Sequence, residues 1–297
     1  MIESTAVVVS GPATGSGGQP RSVRGVATLI ASSLSNQLGA ATGSLAFPAM
    51  GPLGVVAVRQ LVAAAVLLPI VRPRFRDLSW RQWWPVLLLA VVFGTMNLCL
   101  YASVQRIGLG LAVTLEFLGP LAVALISSRR KSSVLCAIAA GIGVVAITQP
   151  DASMDFAGIG LGLVAACSWA SYILLNRTVG QRIPGIQGTA AASGVSATLF
   201  LPVAVVIFLS RPLDGFAVLC AVGAGILASV LPYVADLIAL RRVPAQLFGV
   251  LMSINPVFAA IIGAVALHQV LNLGQWTGIA LIVAANAGAL LLRPRQA

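Results

Sequence analysis

Charge is the scarcest resource of this chain. Only 8% of its 297 residues are Asp, Glu, Lys or Arg, and 59% are apolar, against roughly 25% and 45–50% in globular proteins. The 18 basic and seven acidic side chains cannot cover a 30.4 kDa globule, and the mean hydropathy is +1.00. A water-soluble fold is excluded. Chemistry-bearing residues are equally few, with one His and four Cys. Cys99, Cys136, Cys167 and Cys220 lie inside apolar runs without paired spacing, so they read as small core hydrophobes rather than disulfides or metal ligands. His268 reads as an interfacial side chain. No GxxxxGK[ST], HExxH or GxSxG stretch exists, which argues against nucleotide hydrolysis and metal or nucleophilic catalysis. The expectation is a non-enzyme without cofactor or metal. Runs of alternating polarity are missing too, as Pro85 to Phe93 and Ile279 to Ala285 illustrate, so a strand barrel is excluded.

What the chain does contain is apolar runs long enough to cross about 30 Å of hydrocarbon at about 1.5 Å per residue. Ten are present, near 25–46, 53–71, 85–105, 108–127, 133–149, 157–175, 187–209, 216–238, 245–266 and 274–292. The expected fold class is therefore an all-α membrane protein with ten transmembrane helices. Residues 1–24, rich in Ser, Gly and Pro, read as a disordered cytoplasmic tail without the basic start and long apolar core of a signal peptide.

The net charge of +11 comes from 17 Arg and one Lys against seven acids. In a soluble chain that excess would suggest a nucleic-acid partner. With the N-terminus inside, however, 15 of the 18 basic residues fall on the cytoplasmic side: Arg21, Arg24, Arg72, Arg74, Arg76, Arg81, Arg129, Arg130, Lys131, Arg177, Arg182, Arg241, Arg242, Arg293 and Arg295. Arg106, Arg211, Asp151, Asp155 and Asp214 fall outside. The excess thus reads as a topology signal with both termini cytoplasmic, and the partner is the lipid bilayer, not nucleic acid.

Five runs per half is an odd number, so two similar halves, 25–149 and 157–292, would lie in opposite orientations as inverted repeats. A shift of 136 residues aligns Arg106-Ile107-Gly108 with Arg242-Val243-Pro244, and Gly119-Pro120 with Asn255-Pro256. Each proline removes a donor and frees the carbonyl one turn earlier. Helix breaks at Pro120 and Pro256, at matched positions of inverted halves, point to a site near the midplane.

Three ionisable residues fall within the runs: Arg59, Glu116 and Asp236. Each costs at least about 2.5–3.5 kcal/mol at a helix centre and therefore needs a partner, a cavity or a proton. At helical rise Arg59 lies about 9 Å and Glu116 about 12 Å from the outer face, close enough to share a site. Asp236, five residues before Arg241, lies nearer the inner face and reads as structural. Two readings of Arg59 and Glu116 stand side by side: a buried structural ion pair, or a site in which Arg59 receives a carboxylate and Glu116 a cation or proton. Low dielectric favours the protonated carboxyl and a neighbouring guanidinium the carboxylate, which suits Glu116 to proton coupling. Asn36, Gln37, Gln60, Asn97, Tyr101, Trp169, Tyr172 and Asn255 gather at similar depth as candidate cavity lining. Gly39 with Gly43, and Gly274 with Gly278, mark close helix packing.

The stretches Gly94-Thr-Met-Asn97-Leu-Cys-Leu-Tyr101-Ala-Ser-Val-Gln105 and Gly110-Leu-Ala-Val-Thr-Leu-Glu116-Phe-Leu-Gly-Pro120 closely resemble the threonine/homoserine exporters of the drug/metabolite transporter superfamily. So do Leu231-Pro-Tyr233 with Asp236, and Phe248-Gly with Leu251-Met-Ser253 and Pro256. The resemblance implies two EamA-type five-helix halves, a bacterial inner-membrane location and amino-acid export by proton antiport, with a homodimer as an open option. It places the acid of a Glu-Phe-x-Gly-Pro stretch on Glu116 and the second-helix arginine on Arg59. Asn255 departs from the acid expected before the ninth-helix proline. Two alternatives remain at this level: an exporter of aromatic amino acids or organic cations, and a non-transporting membrane sensor or assembly subunit whose charges only hold helices together.

Overall fold

A computed structural model describes residues 19–73, 75, 78–126, 131–148, 155–183, 187–210, 214–232, 235 and 250–291. Helix accounts for almost all of it, and no strand occurs among the described residues. In chain order the helices are α1 (Gln19–Ser44), α2 (Phe47–Val71), α3 (Trp80–Ile107), α4 (Leu109–Glu116), α5 (Leu118–Ile126), α6 (Lys131–Thr148), α7 (Phe156–Arg182), α8 (Gln187–Ser210), α9 (Gly215–Gly225), α10 (Asn255–Ala266) and α11 (Leu273–Leu291). A π-helical turn, Ile226–Val230, extends α9. Among the described residues the apolar runs fall largely on helix, while 236–249, the end of the eighth run and the start of the ninth, lie outside the described residues. Five helical stretches are long and apolar enough to cross a membrane by themselves: α2, α3, α4 with α5, α7 and α8. Asp236, Arg241, Arg242, Arg129 and Arg130 lie outside the described residues. Helix α1 begins at Gln19, six residues ahead of the expected start at 25.

Local chemistry sets the boundaries. Ser79 and Gln82 form a capping box at the head of α3, the Ser79 N–H donating to Gln82 Oε1 at 2.9 Å. Asn272 and Gln275 do the same for α11, at 3.0 and 2.8 Å. Asp155 accepts from the Gly158 N–H at 2.8 Å and so opens α7. Inside α2, Gly51 takes φ +65 just before Pro52 and kinks the helix.

The side-chain distribution is that of a molecule surrounded by lipid. Large apolar residues such as Ile138, Ile142, Val206, Leu209, Leu219 and Val265 are exposed. Alanines such as Ala57, Ala112, Ala165, Ala191, Ala221 and Ala259 are fully buried. Lipid tails satisfy Leu and Val as well as a core would, so the interior selects small residues that let backbones approach. A Cβ on Gly39 would lie 2.6 Å from the Ala228 nitrogen, and one on Gly278 would lie 2.6 Å from the Gly143 oxygen. Gly278→Val is therefore expected to separate α6 from α11 and to cost about 1–3 kcal/mol, measured as a lowered melting temperature in detergent.

The packing has a reciprocal pattern. Helix α2 packs on α8, α4 on α10 and α6 on α11, so the second, fourth and fifth runs each meet the run five places on. Several other pairings come in matched sets: α3 with α7 answers α9 with α1, and α3 with α8 answers α9 with α2. Contacts of α4 and α5 with α7 likewise answer that of α10 with α1. Helix α4, buried along its whole length, lies at the centre of this arrangement.

Candidate functional site

Each central helix delivers its polar residues at helical spacing to a common cavity of about 560 Å³, a size suited to a small ligand. Helix α1 brings Ser32, Ser33, Asn36 and Gln37; α3 brings Phe93, Met96, Asn97 and Leu100. Arg59 enters from α2, Glu116 from the last turn of α4, and Trp169, Tyr172 and Asn176 from α7. Met252 and Asn255 close the far side.

Both expected helix breaks border this cavity. The α4–α5 helix is interrupted at Phe117, between Glu116 and Pro120. Pro120 has no N–H for the Glu116 carbonyl, which frees that end of the turn. A Cβ on Gly119 would collide with the Ala166 carbonyl of α7, so glycine there permits the close approach. At the second break, Ser253 and Ile254 form a turn ahead of α10. Pro256 cannot donate to Met252, and the Asn255 side chain does so instead, Nδ2 to the Met252 oxygen at 2.8 Å.

Arg59 and Glu116 face the same cavity but do not form a salt bridge. The Arg59 Nε donates to Ser229 Oγ at 2.8 Å, and Nη2 donates to the Ala228 carbonyl at 2.7 Å. Its guanidinium carbon stands 5.4 Å from the Tyr101 ring centre, a cation–π distance. The π turn after α9 thus supplies two of the acceptors that orient Arg59, and Nη1 is left over. Glu116 is only 6% exposed and has no ion-pair or hydrogen-bond partner among the described residues. The ion pair that does form among the described residues is Arg106 with Asp155, at 3.1 Å near the molecule's surface. A guanidinium and an unpartnered carboxyl therefore line one cavity.

The remaining candidates divide. Asn97 lines the cavity and uses Nδ2 on the Phe93 carbonyl at 2.8 Å, leaving Oδ1 for a ligand. Asn36, Trp169 and Tyr172 line it too, with Trp169 edge-on to Phe117 at 4.6 Å and Tyr172 against Phe93 at 5.4 Å as aromatic walls. Asn255 reaches the cavity but is occupied: Gln37 Nε2 donates to its Oδ1 at 3.0 Å, and its Nδ2 reaches Ser33 Oγ at 3.3 Å, tying α1 to α10. Gln60 and Tyr101 do not line it; both are buried, Tyr101 under the Arg59 guanidinium, and the Tyr101 hydroxyl has no partner among the described residues.

Sequence reasoning missed Ser229, Asn176 and Thr189. Asn176 bonds Tyr172 at 3.4 Å and accepts from Thr189 at 3.2 Å, forming a polar lip at the cavity's mouth. Hydropathy ended the sixth run at 175, whereas the helix continues to Arg182; the i, i+4 spacing of Tyr172 and Asn176 was the available signal. No periodicity in the sequence announces the π turn that brings Ser229 to Arg59.

The cavity runs from Arg59 and Glu116 toward the end where α7 stops and α8 starts, past Val179, Gly180 and Thr189. At the other end it is closed by Phe47, Tyr101, Val104, Leu109 and Val113, with Phe47 edge-on to Tyr101 at 5.8 Å. Gln269 adds a latch there, its Oε1 accepting the Leu109 N–H at 2.9 Å. No group of three or more His, Cys, Asp or Glu suited to a metal occurs among the described residues.

A largely apolar cavity that holds a few polar and charged groups, set at helix breaks within an apolar helical molecule, is the central feature of a multi-pass membrane transporter. The chain belongs to the EamA-like transporter family, which it matches twice, over residues 23–148 and 156–291. It is 33% identical over 269 residues to the threonine/homoserine exporter RhtA of Escherichia coli strain K12, covering 90% of this chain and 91% of that protein. RhtA of Salmonella typhimurium strain LT2 is likewise 33% identical, over 275 residues, 91% and 92% of the two chains. The transporter YwfM of Bacillus subtilis strain 168 is 24% identical over 243 residues, 78% and 82% of the two chains. One solved crystal structure shares the fold, with a TM-score of 0.59 and 19% identity over 90% of this chain and 97% of the other. The chain is a transporter and not an enzyme.

Proposed function

We propose that this transporter exports small amino acids of the threonine/homoserine type from the cytoplasm in exchange for protons. The observation that carries the reading is the unpaired Arg59 and Glu116 on one cavity wall. A zwitterion has no net charge but two full charges, and burying it requires an anion and a cation at matching ends. The similarity to exporters named for threonine and homoserine supports that substrate class.

In this account the cell-membrane protein has ten crossings in two inverted five-helix halves, 25–149 and 157–292, with both termini cytoplasmic. The doubled family match and the reciprocal helix pairing support the halves, and the arginine distribution supports the orientation. The open mouth then faces the cytoplasm. Substrate ammonium meets ionised Glu116, its carboxylate takes the free donor of Arg59, and Asn97 and Asn36 serve the side-chain hydroxyl. Rocking of one half against the other draws the Phe47–Tyr101 layer away from Ala217, Ala221 and Ala259 of the second half and breaks the Gln269 latch. The buried Tyr101 hydroxyl gains a partner on that opening, which offsets part of its cost. Protonation of Glu116 from outside weakens the ammonium contact and releases the substrate, and the proton returns inward with the empty carrier.

Two measurements bear on this. Counterflow of a radiolabelled amino-acid panel should favour threonine and homoserine; preference for aromatic amino acids or organic cations would assign the same cavity to a different cargo. Gln269→Ala removes a hydrogen bond of about 1 kcal/mol from the closed end and should raise the outward-open population about fivefold. Distances between spin labels at Leu45 and His268, in a cysteine-free background, would read it as a larger long-distance fraction.

A further inference from the structure

Away from the cavity, Ser79, Arg81, Gln82, Trp84 and Arg182 line a surface cleft where α3 begins and α7 ends. Arg182 is held in place there. Its Nη1 donates to the Arg81 carbonyl at 2.7 Å, its guanidinium lies 5.1 Å from the Trp84 ring centre, and its own carbonyl accepts from Gln82 Nε2 at 2.8 Å. One of its five N–H donors is spent on that hydrogen bond, and Arg182 lines the cleft. The Arg81 side chain is exposed, and among the described residues neither guanidinium has a carboxylate partner. Two like charges beside the positive end of α3 repel each other unless an anion lies between them. The surrounding sequence adds Arg72, Arg74, Arg76 and Arg177 against a single acid, Asp77.

The depth of the cleft identifies the anion's carrier. It sits one turn before Pro85, where the apolar part of α3 begins, and Trp80 and Trp84 project from it 73% and 40% exposed. Tryptophans at such a level mark the boundary between hydrocarbon and headgroups. An anion bound here is therefore flanked by acyl chains on the tryptophan side. The planar fork of arginine matches phosphate oxygens two at a time.

We infer that the Arg81–Arg182 cleft seats the phosphate of an anionic phospholipid, on the rim of the cavity's open mouth. Val179 and Gly180, which line that mouth, lie three and two residues before Arg182 on the same helix. A lipid there braces the α3–α7 junction and stabilises the state in which the mouth is open.

The test uses the full chain purified in detergent. Its melting temperature is read with added phosphatidylglycerol, phosphatidylcholine or inorganic phosphate. Phosphatidylglycerol is expected to raise it by about 2–4 °C more than phosphatidylcholine. The difference should vanish in Arg81→Gln/Arg182→Gln and be reduced but retained in Arg81→Lys/Arg182→Lys, which keep the charge without the fork. Because the difference between lipids is read within each variant, a general loss of stability does not mimic the result. Should the double Gln variant not fold, Arg81→Gln alone, whose side chain makes no hydrogen bond among the described residues, gives the same reading through a reduced difference. Equal shifts from both lipids, an undiminished difference in the Gln variants, or a full shift from inorganic phosphate would overturn the assignment.

Discussion

Glu116→Gln is expected to abolish uphill export driven by a proton gradient while leaving slow, pH-independent exchange. The substitution keeps the shape of the side chain at the α4 break and an oxygen that accepts a hydrogen bond, so the fold and cavity survive. What it removes is the charge and the ability to carry a proton. A hydrogen bond to a charged group contributes about 1.5–3 kcal/mol, roughly twice a neutral one. Loss of the ionised partner should therefore raise the concentration needed for half-maximal exchange by about tenfold or more. The check is radiolabelled threonine flux in proteoliposomes at several pH values. A sensor or assembly subunit would show no flux in either form, and a purely structural Glu116 would leave coupling intact or lose the fold.

Arg59 should divide the two halves of the substrate. Its Nε and Nη2 are spent on Ser229 and Ala228, so the fork presents a fixed remaining donor to the cavity. Arg59→Gln removes the cation that meets the carboxylate and is expected to weaken threonine binding by about 10–100-fold. Arg59→Lys keeps the charge but cannot hold both the Ser229 hydroxyl and the Ala228 carbonyl and reach the cavity at once, so it should recover only part of the loss. An amino alcohol lacking the carboxylate provides the internal control, because its affinity should change little in Arg59→Gln and fall in Glu116→Gln. Equal losses for both ligands in both variants would mean that the residues shape the cavity rather than read opposite ends of the substrate.

Much of this arrangement was legible beforehand because a bilayer restricts a chain so strongly. Backbone groups without water must be paired internally, so an apolar run becomes a helix with little competition, and the described parts of the runs fall largely on helix. Charge is costly enough at depth that Arg59 and Glu116 identified themselves by position. The prolines at 120 and 256 located the breaks because a missing donor has one consequence in a helix. What stayed hidden depends on rotation about helix axes and on small departures from α geometry. Gln60 and Tyr101 share a depth with the cavity but face away from it, and depth says nothing of facing. Ser229 reaches Arg59 through a π turn that no residue pattern signals. Asn255 was legible as polar and mid-membrane, yet its bonds to Gln37 and Met252 make it a tie between α1 and α10.

The central claim, that one site couples a zwitterion to a proton, is tested most directly in proteoliposomes holding the wild-type chain, with threonine loaded on one side and an imposed pH gradient. The account predicts threonine accumulation against its own gradient, accompanied by alkalinisation of the compartment from which protons leave, and collapse of both on adding a protonophore. Threonine movement that follows only its own gradient, unchanged by the pH difference and by the protonophore, would contradict it.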